Sequence, residues 1–244
     1  MNRSYRRIVT AAMLLISLCA IAQEREEMDI FMESAGLESQ IFRGRQAPEY
    51  YFRYNGTPYW TSPAYLPGKL SYDGKIYEGL EINIDAAAQK MLCIRPGFAA
   101  KGMLEGDFVE WAEFGGRKYI GSRANGYETI PEGFFEVLYD AGKAKILKQV
   151  KKTLKTDKDG NLRSQTGYKG PLLANVNEIF VISADYYHIS PDGTAVQLKR
   201  GKDIVKLYPE RKKELNRHMR QLQSGGLLDI EKYLVAAIRF AEGQ

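Results

Sequence analysis

Few residues in this chain have the type and spacing that catalysis needs. There are two histidines, His188 in ADYYHI and His218 in NRHMR. Neither has a nucleophile close by in the sequence, and a lone strand histidine usually serves as hydrogen-bonded structure. No G-x-S-x-G, H-E-x-x-H or phosphate-cradling G-x-x-x-x-G-K occurs. Beyond the N-terminal apolar run the only cysteine is Cys93, in the apolar strand MLCI, where a thiol is inert packing. Two histidines and one cysteine do not supply a zinc set, and no cofactor, metal or catalytic residue is expected. Carboxylates remain: glycoside hydrolysis needs only two acids at a set separation. Asp107, Glu110, Glu113 and Glu136 lie in or near β-prone segments beside aromatics. Acids in such places mostly form a solvated face. A carbohydrate-active enzyme using paired carboxylates is therefore the rival reading, and a binding module leads.

The best candidate for binding is YYFRYNGTPYW, Tyr50 to Trp60, in which six of eleven residues are aromatic. As a strand it would place Tyr50, Phe52 and Tyr54 on one face and Tyr51 and Arg53 on the other. Asn55-Gly56 signals a turn, and Pro58 restricts the return. Three rings then have a packing role. Tyr51, Tyr59 and Trp60 are left as a candidate stacking patch for a glycan or a partner loop. A second surface is the run KRGKDIVKLYPERKKELNRHMR, with nine Lys or Arg against three acids. Its amphipathic spacing favours the wet face of packed helices over peripheral contact with anionic lipid, the alternative.

The elements that must position these residues are mostly strands. Asp73-Gly74 in SYDGKIY is a strong type I′ hairpin signal. LEINI alternates Leu80, Ile82 and Ile84 inward against Glu81 and Asn83, the code of a half-buried strand. MLCI, DFVEW and RKYI continue the series. EGFFEVLYDAGKAKILKQVKKTL predicts a hairpin, with Phe135, Val137 and Tyr139 on one face and Ile146, Lys148 and Val150 returning. The polar, Gly-rich stretch from Thr156 to Leu172 predicts a mobile surface loop over 153–175. EIFVISADYYHI and TAVQLK form a third hairpin about Asp192-Gly193. Asn-Gly and Asp-Gly pairs fall at irregular intervals (55, 73, 125, 159 and 192), which favours a meander over a propeller or solenoid. After Gly201 the period changes. Pro209 suits the first turn of a helix carrying Leu215, Met219 and Leu222. Asp229 can cap a last helix striped by Ile230, Tyr233, Leu234, Ala237 and Ile238. The expected fold is α+β: a predominantly antiparallel β-sheet (meander, sandwich or open barrel) over 41–200, then a C-terminal helical pair over 201–244 packed on it.

The start of the chain bears on destination. Arg3, Arg6 and Arg7 precede an apolar run from Ile8 to Ile21, and Ala20-Ile21-Ala22 is a small-x-small cleavage pattern. Residues 1–22 therefore read as a secretory signal peptide, followed by a flexible or short helical arm over 23–40. The run is shorter than the ~20 residues that span a bilayer, and no transmembrane span is expected in the mature chain. The alternative is an outer-membrane lipoprotein anchored through Cys19, which the bulky Leu18 before it disfavours. Cleavage removes three arginines and no acid, so a basic pI partly reflects a discarded segment. Cys93 alone would remain, leaving no internal disulfide in an oxidising compartment. A periplasmic or extracellular location makes nucleic acid an improbable partner and points to an envelope protein or glycan.

Taken in order, GTPYWTSPAYLPGKLSYDGKIYEGLEINID, DFVEWAEFGGRKYI, GFFEVLYDAGKAKILKQVKKTLK, DYYHI and the basic helix resemble a group of secreted, uncharacterised β-rich proteins of Bacteroidota. The likeness covers roughly Phe42 to Phe240, most of a domain-sized chain. GFFEVLYDAGK is its most distinctive part. Where the group has a tyrosine before the aspartate, this chain has Ile84-Asp85. The resemblance implies export and a β-rich envelope accessory or binding protein, with a purely structural envelope role as a further alternative. It carries no activity, cofactor or site residue.

Overall fold

The computed structural model describes residues 41, 45–94, 101–141, 144–224 and 229–243. The expected signal segment 1–22, Cys19 and the arm 23–40 lie outside the described residues. The chain divides into Met1–Gly44 and Arg45–Gln244, and the sheet and the C-terminal helices belong to the second unit.

Among the described residues ten strands form one antiparallel sheet: β1 (Leu66–Tyr72), β2 (Lys75–Asp85), β3 (Lys90–Ile94), β4 (Lys101–Met103), β5 (Val109–Phe114), β6 (Arg117–Gly121), β7 (Phe134–Asp140), β8 (Lys145–Thr156), β9 (Glu178–Ile189) and β10 (Ala195–Gln197). Their spatial order is β10-β9-β8-β7-β6-β5-β1-β2-β3-β4. Nearly every strand pairs with its chain neighbour, as a meander requires; only β1 crosses, to pair β5. The Asp73-Gly74 turn has φ of 52° and 73°, the left-handed pair that a type I′ hairpin demands. The sheet is open at its ends but curls. The turn between β2 and β3 reaches β8, across four intervening strands in the sheet order. Lys152 N donates to Ala86 O at 3.1 Å, and Gln89 Nε2 donates to Val150 O at 2.8 Å. These bonds occupy the edge of β8 beyond the end of β7, where a backbone row would otherwise go without partners.

Among the described residues three α-helices follow the sheet: α1 (Asp203–Leu207), α2 (Lys212–Ser224) and α3 (Ile230–Glu242). The short α1 adds to the expected pair. Asp229 caps α3, accepting from Glu231 N at 2.9 Å and Lys232 N at 3.2 Å. Leu215, Met219, Leu234, Ala237 and Ile238 bury against Tyr139 and Ile146 on one sheet face. Phe135, Leu147, Tyr187 and Ile189 pack on the other.

Several local expectations give way to tertiary structure. Tyr139 does not share a face with Phe135 and Val137. The β7–β8 register shifts between Val137 and Tyr139, and the extra residue, Leu138, turns Tyr139 toward the helices. The segment predicted as loop from residue 153 begins as strand, because β8 pairs β9 through Thr156↔Glu178. In β2, Asn83 and Asp85 are buried along with the apolar set, since the chain before β1 covers them. Asn83 Nδ2 donates to Ser62 O and Ala64 O, both at 3.0 Å.

Candidate functional site

The aromatic stretch 50–60 is not a strand. It touches the sheet at two isolated bridges, Asn55↔Ile179 and Tyr59↔Asp85. Proline is the local reason: Pro58 has no N–H to donate, so a continuous ladder cannot form through it. The two bridges hold the segment between the start of β9 and the end of β2. At one end Asn55 N donates to Glu178 O at 2.8 Å and Asn55 O accepts from Phe180 N at 2.9 Å. At the other, Trp60 N donates to Ile84 O and Pro58 O accepts from Ala86 N, each at 2.9 Å.

The rings assemble just before the Asn55 anchor. Tyr50, Phe52 and Tyr54 do fall on one side, with centroids 5.8–6.1 Å apart and near-perpendicular planes. Tyr50 and Tyr54 also meet Phe180 edge-on at 5.5 and 5.1 Å. Such edge-to-face contacts fix rings without covering them. Phe52 remains 44% exposed and Tyr51 88% exposed. Tyr59 is half-buried. Trp60 is only 3% exposed and lies edge-on to Tyr119 at 5.5 Å, so it belongs to the core and not to the patch expected of it. An indole that packs so well against a sheet tyrosine gains more from burial than from exposure. The exposed rings of the segment are therefore Tyr51 and Phe52, and Phe52 is backed by Tyr50 and Tyr54. Sequence reasoning misses Phe52 because alternation assigns it to the packed face of a strand that does not form.

Asp85 sits beneath this surface, fully buried. Its Oδ2 accepts from the Tyr50 hydroxyl at 2.8 Å, and its Oδ1 accepts from Ala87 N at 2.9 Å and Ala88 N at 2.8 Å. Burial pushes its carboxyl above the usual range, and the three hydrogen bonds pull the other way. Burial first, then the Asp85 carboxylate, pushes the Tyr50 hydroxyl far up. The carboxylate ties Tyr50 to the β2–β3 turn, a positioning role for the ring cluster.

Asn55 is 2% exposed and reaches into the segment that follows β8. Its Nδ2 donates to Leu173 O at 2.9 Å and Val176 O at 2.8 Å, and its Oδ1 accepts from Leu173 N at 2.5 Å. Gly56, with φ of 80°, lets the chain pass where a Cβ would stand 2.9 Å from Phe180 O. The polar segment after β8 is pinned a second time by buried Lys152, whose Nζ donates to Thr166 O at 2.8 Å. Burial lowers this ammonium from 10.5 to about 8. An unfolded lysine holds its proton up to 10.5, so above pH 8 the unfolded chain binds more protons than the folded one. Stability should therefore rise with pH from about 8 until the tyrosines, near 10.0 when unfolded and higher when buried, reverse the trend. Lys152→Met should flatten that rise in denaturant titrations; a slope like the wild type's would assign it to another group.

The remaining candidates have separate partners. Glu110 accepts from Ser71 Oγ and from Gly74 N, Glu113 faces Lys69 at 3.5 Å, and Glu136 takes Arg117 at 2.9 Å. Asp107 is exposed in the short turn before β5. His188 Nε2 lies 3.4 Å from the Tyr208 hydroxyl, and His218 stacks on Phe240 at 4.2 Å. Burial pushes the Cys93 thiol up to about 12, which keeps it protonated. Among the described residues no group of three or more His, Cys, Asp or Glu side chains could hold a metal ion. None of their helices is long and apolar enough to cross a membrane.

Fold and site together define an α+β protein: a curled antiparallel meander with helices on one face and a clamped, solvent-facing aromatic segment. Comparison with protein-family models, with curated proteins and with solved structures found no match to this chain.

Proposed function

We propose that this chain is an exported, non-enzymatic binding module of the cell envelope that stacks the rings of a glycan on Tyr51 and Phe52. The observation that carries the reading is the exposure of these two rings, 88% and 44%, on a segment whose main chain bonds to the sheet before them, Ala47 N to Lys101 O at 3.3 Å, and after them, at Asn55. Large aromatics gain from burial, so two left in water at a fixed position are the kind of surface a ligand covers. The anchors also reduce the ordering cost of binding. The Arg3–Ala22 segment supports export. The individual pairing of Glu110, Glu113 and Glu136 with their own donors favours a binding role over paired-carboxylate hydrolysis.

Tyr51→Ala/Phe52→Ala should keep its circular dichroism and lose retention in affinity gels cast with envelope polysaccharides. Each ring is worth about 0.5–1.5 kcal/mol of stacking, so the double variant should bind roughly tenfold or more weakly. Retention equal to the wild type's across a broad polysaccharide panel would remove this reading.

A further inference from the structure

We infer that the outer edge of β9, from Ile182 to Ala184, is a docking slot for a short extended peptide segment of a partner protein, which it takes up as an added strand. This surface is distinct from the aromatic one and does not depend on it.

The inference comes from where the backbone groups of β9 point. In an antiparallel ladder, alternate residues bond to alternate sides. Lys152 N points away from β9, to Ala86 O. Its partner Ile182 must then point away from β8. The bonds on the outer side have the same parity. Glu178 O and Phe180 N bond to Asn55, and Tyr186 O accepts from Leu198 N at 2.7 Å. Even-numbered residues of β9 thus face outward, and both ends of that edge are occupied, by Asn55 and by the β10 segment. In between, the N–H and C=O groups of Ile182 and Ala184 have no backbone partner among the described residues. The same stretch is open to solvent: Ser183 and Ala184 are exposed, and Ile182 is 37% exposed.

The flanking chain sets the size of the occupant. Phe180 and Tyr186 are six residues apart, about 20 Å along a strand. A segment of three to five residues fits. A second copy of β9 does not, because its full length would run into Asn55 at one end and β10 at the other. Two donors and two acceptors then await an incoming main chain, the bonding that strand addition uses for affinity. Elsewhere this protein covers such rows with its own chain, as Gln46 does at β4 and Ala86 at β8.

Residue-resolved hydrogen exchange on the full chain tests the idea. In the free protein the Ile182 and Ala184 amides should exchange quickly, and those of Ser183 and Asp185 slowly. A blocked Thr-Val-Thr-Val-Thr peptide at millimolar concentration should slow Ile182 and Ala184 at least tenfold. The same peptide with its amides N-methylated should not. Ala184→Pro removes one outward donor and leaves the β8 ladder intact, so it should weaken peptide binding about fivefold or more. The methylated peptide keeps the test decisive should that variant fold poorly. Slow exchange of Ile182 and Ala184 in the free protein, no protection by the peptide, or equal protection by the methylated peptide would each overturn the assignment.

Discussion

Replacing Asn55 with alanine should destabilise the protein by about 2–4 kcal/mol, a large effect for a residue in an irregular segment. One side chain satisfies three main-chain groups, Leu173 N, Leu173 O and Val176 O. Removing it strands them, and a buried polar group without a partner costs about 1–3 kcal/mol. The costs will not add fully, because Leu173 is exposed and water can reach part of the site. The loss should be local at first. The segment between β8 and β9 should exchange its amides well before the sheet unfolds, and the aromatic surface should loosen with it, since Asn55 anchors both. Asn55→Asp should not rescue: it keeps the acceptor for Leu173 N, loses both donors and buries a charge. Urea titration combined with hydrogen exchange reads both effects. A loss below about 0.5 kcal/mol, with unchanged protection after β8, would show that the segment is held by something else.

The second large effect lies where the helices meet the sheet. Arg117 Nη1 reaches both oxygens of Glu136, at 2.9 and 3.0 Å. Lys148 Nζ stands 3.7 Å from Glu136 Oε2 and 2.5 Å from Glu231 Oε1. Residues of β6, β7, β8 and α3 thus form one line of alternating charge, joined by the Tyr186 hydroxyl 3.4 Å from Glu231. Lys148→Ala should cost about 3 kcal/mol, near the lower end for breaking a buried pair, because Glu231 keeps partial access to water. The damage should concentrate in α3, with faster amide exchange there than in β8. Adding Glu231→Gln to a Lys148→Met background should recover part of the loss, since Glu136 keeps Arg117 and the carboxylate that Lys148 neutralised at 2.5 Å is then an uncharged amide. If Lys148→Ala matched the wild type in denaturant midpoint, the network would be surface decoration.

Burial and bonding at Asn55 also explain why the site is only half legible in the sequence. The Asn55-Gly56 pair marks a place where the chain turns, and φ at Gly56 is positive. Its partners, however, lie 118 and 121 residues away, and no local pattern records them. The same holds for Trp60 against Tyr119. Aromatic content alone cannot separate the ring that packs from the ring that faces water, because both choices satisfy an indole or a phenol in some environment. The Leu138 bulge is a further case: alternation is a rule about uninterrupted ladders, and one inserted residue reverses every face beyond it.

Features governed by a few consecutive residues are readable from the order of amino acids. The type I′ turn at Asp73-Gly74, the Asp229 cap, the apolar stripes of α2 and α3 and the antiparallel meander all follow from backbone sterics, nearby hydrogen bonds and side-chain period. Only the assembled chain settles which rings stay in water, where the long polar segment is pinned and which stretch of β9 goes uncovered. Those outcomes depend on competition for burial and for main-chain partners between residues far apart in sequence, and that competition is decided when the sheet curls and distant segments meet it.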